Sequence, residues 1–150
     1  VGGQTLTIPG ASWSQTFGYD GANRLASVAE GSSWSQHFDY DAFGNRWVSS
    51  SSLALSPLTP QAQAGYNAAT NQLTSSLFQY DASGNQTLVN PWRIAYDGEN
   101  RQVSVTNTGT GAGTTYSYDG DGHRVTKTTG GNTTLYIYSG AGELAAEYSA

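Results

Sequence analysis

The sequence predicts an all-β fold, an antiparallel meander of short β-hairpins forming a curved or spiralling sheet, and three observations carry that reading. A cassette of an aromatic residue, a spacer, a tyrosine and an aspartate, closed by a turn, recurs along nearly the whole chain. The two rings of a cassette stand two residues apart, the spacing that places side chains on one face of a strand. The composition of 19 Gly, 10 Tyr and 4 Trp, with 11% charged residues and no Met, favours strands and tight turns over helices.

The fullest copy runs Tyr116-Ser117-Tyr118-Asp119-Gly120-Asp121-Gly122-His123-Arg124-Val125. Phe17 to Leu25, Phe38 to Trp47 and Phe78 to Thr87 repeat it, and Ile94 to Val103 is a shorter copy. Tyr66 to Leu73 and Tyr136 to Leu144 are degenerate copies with Asn67 and Ser139 in the place of aspartate. The cassette tyrosines therefore fall at Tyr19, Tyr40, Tyr66, Tyr80, Tyr96, Tyr118 and Tyr138, with spacings of 21, 26, 14, 16, 22 and 20 residues. A period of this size marks a repeat protein, in which each unit buries its apolar face against its neighbours.

Each full unit splits again at short glycine-containing loops, Gly31 to Ser33 and Gly130 to Asn132, so it supplies two antiparallel strands. Seven such units predict roughly 12 to 14 strands, and at about 4.8 Å per strand they span roughly 60 to 65 Å. The ring-bearing side of each strand is expected to be the buried one. Asp20, Asp41, Asp81, Asp97 and Asp119 are expected to accept a backbone N–H two residues on, as Asx-turns do. Gly44, Gly84 and Gly122 supply a positive φ, and Asn23, Asn45, Asn85 and Asn100 tolerate one. His123 stands where Asn45 and Asn85 stand, so the same tolerance predicts a structural role for it.

Residues 1–150 are read as a single β domain, with residues 1–16 a truncated leading unit and residues 49–65 a Ser/Pro-rich insertion packed externally or along an edge. Asn90-Pro91 predicts a tight hairpin, Asn107 to Thr115 a long mobile turn, and Pro60 to Ala69 a turn or two of helix.

The formal net charge is -5 and the six Lys plus Arg are scattered singly, the wrong sign and pattern for tracking phosphates, so nucleic acid is not expected as a partner. No apolar run approaches the roughly 20 residues that cross a bilayer as a helix. The chain has no cysteine. His37, expected on a polar face, and His123 belong to no nucleophile–base pattern, so no catalytic residue is assigned and the chain is read as not an enzyme. Asp119 and Asp121 imitate the opening of a calcium loop but lack the later acidic ligands, so no metal and no cofactor are expected. Trp34 shares a face with Phe38 and Tyr40 and is read as interior, whereas Trp47 and Trp92 are the candidates for exposed rings that could stack on sugars.

The cassettes at Tyr19-Asp20-Gly21, Tyr40-Asp41-Ala42, Tyr96-Asp97-Gly98 and Tyr118-Asp119-Gly120 resemble the YD repeats of the Rhs family, which includes bacterial Rhs proteins, the C component of Tc toxins and the teneurins. The resemblance covers residues 17 to 148. It implies a β-sheet that spirals into a shell, an extracellular or cell-surface location, and links with carbohydrate binding. The aspartyl self-cleavage motif of such proteins has no match in these residues, so autoproteolysis is not carried over. A shell around a cargo of about 100 residues needs a circumference on the order of 140 Å, so this many strands make under half a turn. The function expected is a structural wall module that assembles through open sheet edges with other copies or with the rest of a shell; the alternative is a carbohydrate-binding module using Trp47 and Trp92.

Overall fold

The structure, a computed structural model, describes residues 2–8 and 11–149, with side chains from residue 14 onward. Thirteen strands follow one another: β1 (Gly2–Ile8), β2 (Ala11–Tyr19), β3 (Leu25–Glu30), β4 (Trp34–Tyr40), β5 (Arg46–Ser51), β6 (Phe78–Tyr80), β7 (Gln86–Val89), β8 (Trp92–Tyr96), β9 (Gln102–Asn107), β10 (Gly113–Tyr118), β11 (Arg124–Thr129), β12 (Asn132–Tyr138) and β13 (Leu144–Ser149). Every pairing is antiparallel, as the meander requires. Within the leading stretch β1 pairs along its whole length with β2.

The strands divide between two units, Val1–Ser75 and Ser76–Ala150. The first holds a five-stranded sheet in the order β1-β2-β3-β4-β5, and the second an eight-stranded sheet running from β6 to β13 in chain order. Neither sheet closes on itself. Ladder formation lapses where Pro57 and Pro60, which have no N–H to donate, precede the degenerate cassette. That cassette forms a single bridge, Tyr66 to Leu73, in place of a strand pair.

The Ser/Pro-rich insertion is shorter than its composition suggests, since Ser49, Ser50 and Ser51 extend β5. The rest returns along β5, where the Val48 N–H donates to the Pro60 carbonyl at 3.0 Å. The helical turn expected near Pro60 is the one-turn 3-10 segment Gln63–Gly65. Between β9 and β10 the strands reach Asn107 and Gly113, so the turn is narrower than its glycines and threonines imply. The Asn107 side chain organises it by accepting the N–H groups of Gly109 and Thr110. Asn90-Pro91 makes the tight β7–β8 connection as expected.

The cassette turns share one backbone pattern. The Asp20 N–H donates to the Arg24 carbonyl and the Asn23 N–H to the Asp20 carbonyl, and the same two bonds recur at Asp41, Asp81, Asp97, Asp119 and Ser139. The third residue after each of these takes a positive φ: Asn23, Gly44, Gly84, Asn100, Gly122 and Gly142. This is the three-residue hairpin loop, a turn followed by a left-handed residue. Asn45 and Asn85 correct the expectation made for them: each lies one position further on, outside the positive-φ set, and so does His123.

Most of the aromatic face is half-buried. Among the described residues only Phe38, Val48 and Leu88 are buried hydrophobics, and no side chain is fully buried. The cassette rings from Tyr40 onward are half-buried, while Tyr19 is exposed. In the second unit the reason is architectural, because one sheet with its turns leaves each row of rings only its neighbours to pack against. The expectation of a buried ring side is therefore met in alternation along the strands and falls short in depth.

At Gly84 a methyl group would meet nothing within 4 Å, so the constraint there is the backbone's φ of 87°. Gly84→Ala is expected to lower stability by about 1 kcal/mol, measured by chemical denaturation, through the cost of a left-handed alanine. An unchanged midpoint would mean that this turn relaxes to another conformation.

Candidate functional site

No catalytic constellation forms among the described residues, and the feature that repeats is a relay of side chains linking neighbouring cassettes within each of the two units. It begins in the aspartate. Asp97 Oδ1 accepts the N–H groups of Glu99 and Arg101 at 2.9 Å each, and its Oδ2 accepts the Arg101 Nε at 2.8 Å. Asp20 does the same with Ala22 and Arg24, and Asp41 and Asp81 take the side-chain amides of Asn45 and Asn85. At Asp119 the donor is His123 Nδ1, 3.2 Å from Oδ2. The fourth residue after the aspartate is thus a side-chain donor every time, folded back onto the carboxylate.

The far side of that residue meets the next unit. The Arg24 guanidinium lies 4.2 Å from the centre of the Tyr40 ring and the Arg101 guanidinium 5.0 Å from that of Tyr118. His123 stacks on Tyr138 with ring centroids 4.6 Å apart. Where the donor is asparagine the link is polar: Asn45 donates to Asn71 and Asn85 to Asn100. Arg46 over Phe38 and Arg124 over Tyr116 add contacts within their own hairpins. Cation–ring contacts of this kind stabilise most where the ring and its partner are partly withdrawn from water.

A second thread runs backwards. The Tyr40 hydroxyl donates to the Leu25 carbonyl at 2.8 Å, Tyr66 to Arg46 at 2.7 Å, Tyr96 to Gln86 at 3.3 Å, Tyr118 to Gln102 at 2.7 Å and Tyr138 to Arg124 at 3.1 Å. Each acceptor lies five residues after the previous cassette's aspartate. The strand geometry aims the ring at that point. A register shift falls just before Tyr19, Tyr80, Tyr96, Tyr118 and Tyr138, and two residues earlier than the Tyr40 position, before Phe38, in the β4–β5 pair. Such bulges bend the strand and re-aim its side chains.

All of the predicted motif aspartates titrate below the ordinary value of 3.8. For Asp20 and Asp97 the backbone N–H of Arg24 and of Arg101 is the main cause, with the guanidinium next. For Asp41 and Asp81 it is the amide side chain of Asn45 and of Asn85. At Asp119 partial burial pushes upward, and the hydrogen bonds from the His123 N–H and ring outweigh it.

Asp119, Asp121 and His123 hold potential metal-ligand atoms within 4.8 Å of one another, beside an open cleft of about 530 Å³ that Tyr136, Tyr138 and the 139–142 turn also line. The turn already engages both carboxylate oxygens of Asp119, which accept the N–H groups of Asp121 and His123 and face the His123 ring. His37 is exposed on β4, and Trp34 is half-buried. Trp92 is 42% exposed at the start of β8, whereas Trp47 is half-buried in β5 of the other unit.

The aspartate, tyrosine and glycine positions were legible in the sequence as turn and strand residues. The donor at the fourth position was missed, although its spelling (Arg24, Asn45, Asn85, Arg101, His123) never includes an aliphatic residue.

Two solved structures, those of TcdB2-TccC3-Cdc42 and TcdB2-TccC3, are similar to the chain at 14% and 15% sequence identity, with TM-scores of 0.45 and 0.44. The similarity covers 92% of this chain and 7% of each of those chains. No protein-family model matches the chain, and no curated protein does.

Because the aspartate pKa values are depressed in the folded state, their stabilising contribution is complete above the unfolded carboxylate value and is lost as pH falls through the folded one. The denaturation midpoint is therefore expected to be level above about pH 5 and to drop as pH falls below about 4. A midpoint that rises over that acidic range would contradict the turn geometry.

Proposed function

We propose that the chain is a non-enzymatic structural segment of an Rhs-like surface or secreted protein, a length of β-sheet wall that assembles with other copies or with the remainder of a shell. The observation that carries the reading is the relay: the side chains that recur from unit to unit are spent on holding neighbouring turns together. Arg24, Arg101 and His123 are occupied by an aspartate on one side and a ring on the other. Five of the cassette hydroxyls are likewise committed to carbonyls of the preceding unit. A repeat organised this way leaves few of its recurring polar groups for chemistry on a substrate.

Assembly is supported by the sheet ends. Among the described residues the outer strands of each sheet, β1 and β5 in the first and β6 and β13 in the second, have a strand on one side only, and a sheet margin is a template for further pairing. Among the described residues no helix is long and apolar enough to cross a membrane.

Sedimentation velocity over a wide concentration range tests the proposal. The expected result is a reversible shift from monomer to dimers or longer species, with added β-sheet signal in circular dichroism. A strictly monomeric species at the highest concentration would overturn assembly with other copies.

A further inference from the structure

The second residue after the cassette aspartate varies freely from turn to turn, and at the Asp97 turn it is Glu99, which works together with Arg101. Arg101 Nη1 lies 3.0 Å from Glu99 Oε2 and donates at 3.2 Å to the Asp119 carbonyl of the following turn, while the guanidinium stands over the Tyr118 ring. One guanidinium is thus surrounded by a carboxylate at the second position, a ring, and a turn carbonyl of the next cassette. All of these groups come from one turn and the cassette that follows it.

The next junction repeats the surroundings and changes the centre. Asp121 takes the place of Glu99, Tyr138 that of Tyr118 and the Ser139 carbonyl that of the Asp119 carbonyl, but the residue between them is His123. Its ring faces Asp119 through Nδ1 and stacks on Tyr138, yet an imidazole is shorter than an arginine side chain and makes no hydrogen bond to Ser139. The Asp121 carboxylate is exposed and has no hydrogen-bonding or ionic partner among the described residues. Between the two turns lies the cleft of about 530 Å³, lined by Asp119, Asp121, His123, Tyr138 and the 139–142 turn and by no lysine or arginine. A carboxylate oxygen of Asp119, one of Asp121 and a ring nitrogen of His123 come within 4.8 Å of one another. With Asp119 taking the Nδ1 proton, His123 Nε2 is an acceptor, and it faces the 139–142 turn, where a methyl carbon added at Gly142 would stand 3.1 Å away.

We infer that this cleft binds the guanidinium of an arginine side chain presented by another chain, with the Asp121 carboxylate as its ionic partner and the Ser139 carbonyl and His123 Nε2 as further acceptors. The fold itself supplies the precedent, because the equivalent groups hold Arg101 one junction earlier. Arginine suits the cleft better than lysine, since a planar fork of five N–H donors meets several separate acceptors, whereas an ammonium is a compact and strongly hydrated point charge. The volume is in the range of sites that take a small ligand group. The inference goes beyond the wall reading and stands without it, because both turns belong to the same unit.

An NMR titration of the ¹⁵N-labelled whole chain with Nα-acetylarginine amide tests it, alongside the corresponding lysine and citrulline compounds, the last having the arginine shape without the charge. The arginine compound is expected to give saturable shifts at residues 119–123 and 138–142 that weaken as salt is raised. The lysine compound is expected to bind at least about fivefold more weakly and the citrulline compound not to saturate. Asp121→Ser, which copies Ser83 of the Asp81 turn, is expected to lower affinity about fivefold or more and to leave the rest of the spectrum in place. His123→Arg supplies a guanidinium from the chain itself and is expected to abolish binding. Equal binding of the three compounds, no saturable shift with arginine, or an Asp121→Ser variant that binds as the parent does would each overturn the proposal. Calcium or zinc shifting these amides where the arginine compound does not makes the cluster a metal site and overturns it too. Dilution of the ligand-free chain identifies the source of the arginine: shifts at 119–123 and 138–142 that follow concentration assign it to a second copy and constant ones to a different protein, and either result leaves the guanidinium site standing.

Discussion

The structure depends on one interaction repeated with small variations: a carboxylate that closes its own turn and, with its remaining oxygen, aims a donor at the next unit. Asp20, Asp41, Asp81, Asp97 and Asp119 each accept two backbone N–H groups and one side-chain group. The backbone bonds fix the hairpin loop and hence the register of the strands it joins. The side-chain bond freezes a long, flexible arginine, or a histidine or asparagine, in the one direction from which it reaches the neighbouring cassette. An arginine ordered in advance loses less freedom on meeting a ring than one free in solvent.

This arrangement answers a difficulty that a single sheet has with stability. With a handful of buried hydrophobics among the described residues, the fold does not rest on a deep core. It rests on half-buried rings that are covered by cations, tied by their hydroxyls, and spaced by bulges that set their direction. Val48 and Leu88, each seven residues after its cassette aspartate, show where apolar burial does concentrate. The energetics are those of a repeat array, in which neighbouring units supply most of each unit's support.

The fold class, the strand number and the turn residues were readable because they follow from local rules: period-two rings, an Asx-forming aspartate, and a glycine where φ is positive. The error on Asn45 and Asn85 shows the limit of those rules. Asparagine suits both a left-handed backbone and a side-chain donor role, and only the neighbouring Gly44 and Gly84 decide between them by taking the strained position. The depth of burial was not readable, because alternation states which side a ring faces and says nothing of what lies over it. The division into two sheets was also hidden, since the Tyr66 cassette looks like a weak copy in sequence and in the structure forms a single bridge. The relay itself joins residues about 16 apart, beyond the reach of any turn rule, and its one trace in the sequence is the constant donor chemistry four residues after each aspartate.

The central claim is that the aspartate acts on the next repeat through the donor it holds, and a double-mutant cycle between Asp97 and Tyr118 tests it most directly. Asp97 touches Arg101, Arg101 lies over Tyr118, and no hydrogen bond joins Asp97 to Tyr118 itself. Chemical denaturation of Asp97→Ala, Tyr118→Leu and the combined variant is predicted to show coupling, with the double variant losing clearly less stability than the sum of the single ones. Strict additivity would contradict the relay and leave the cassettes as independent turns.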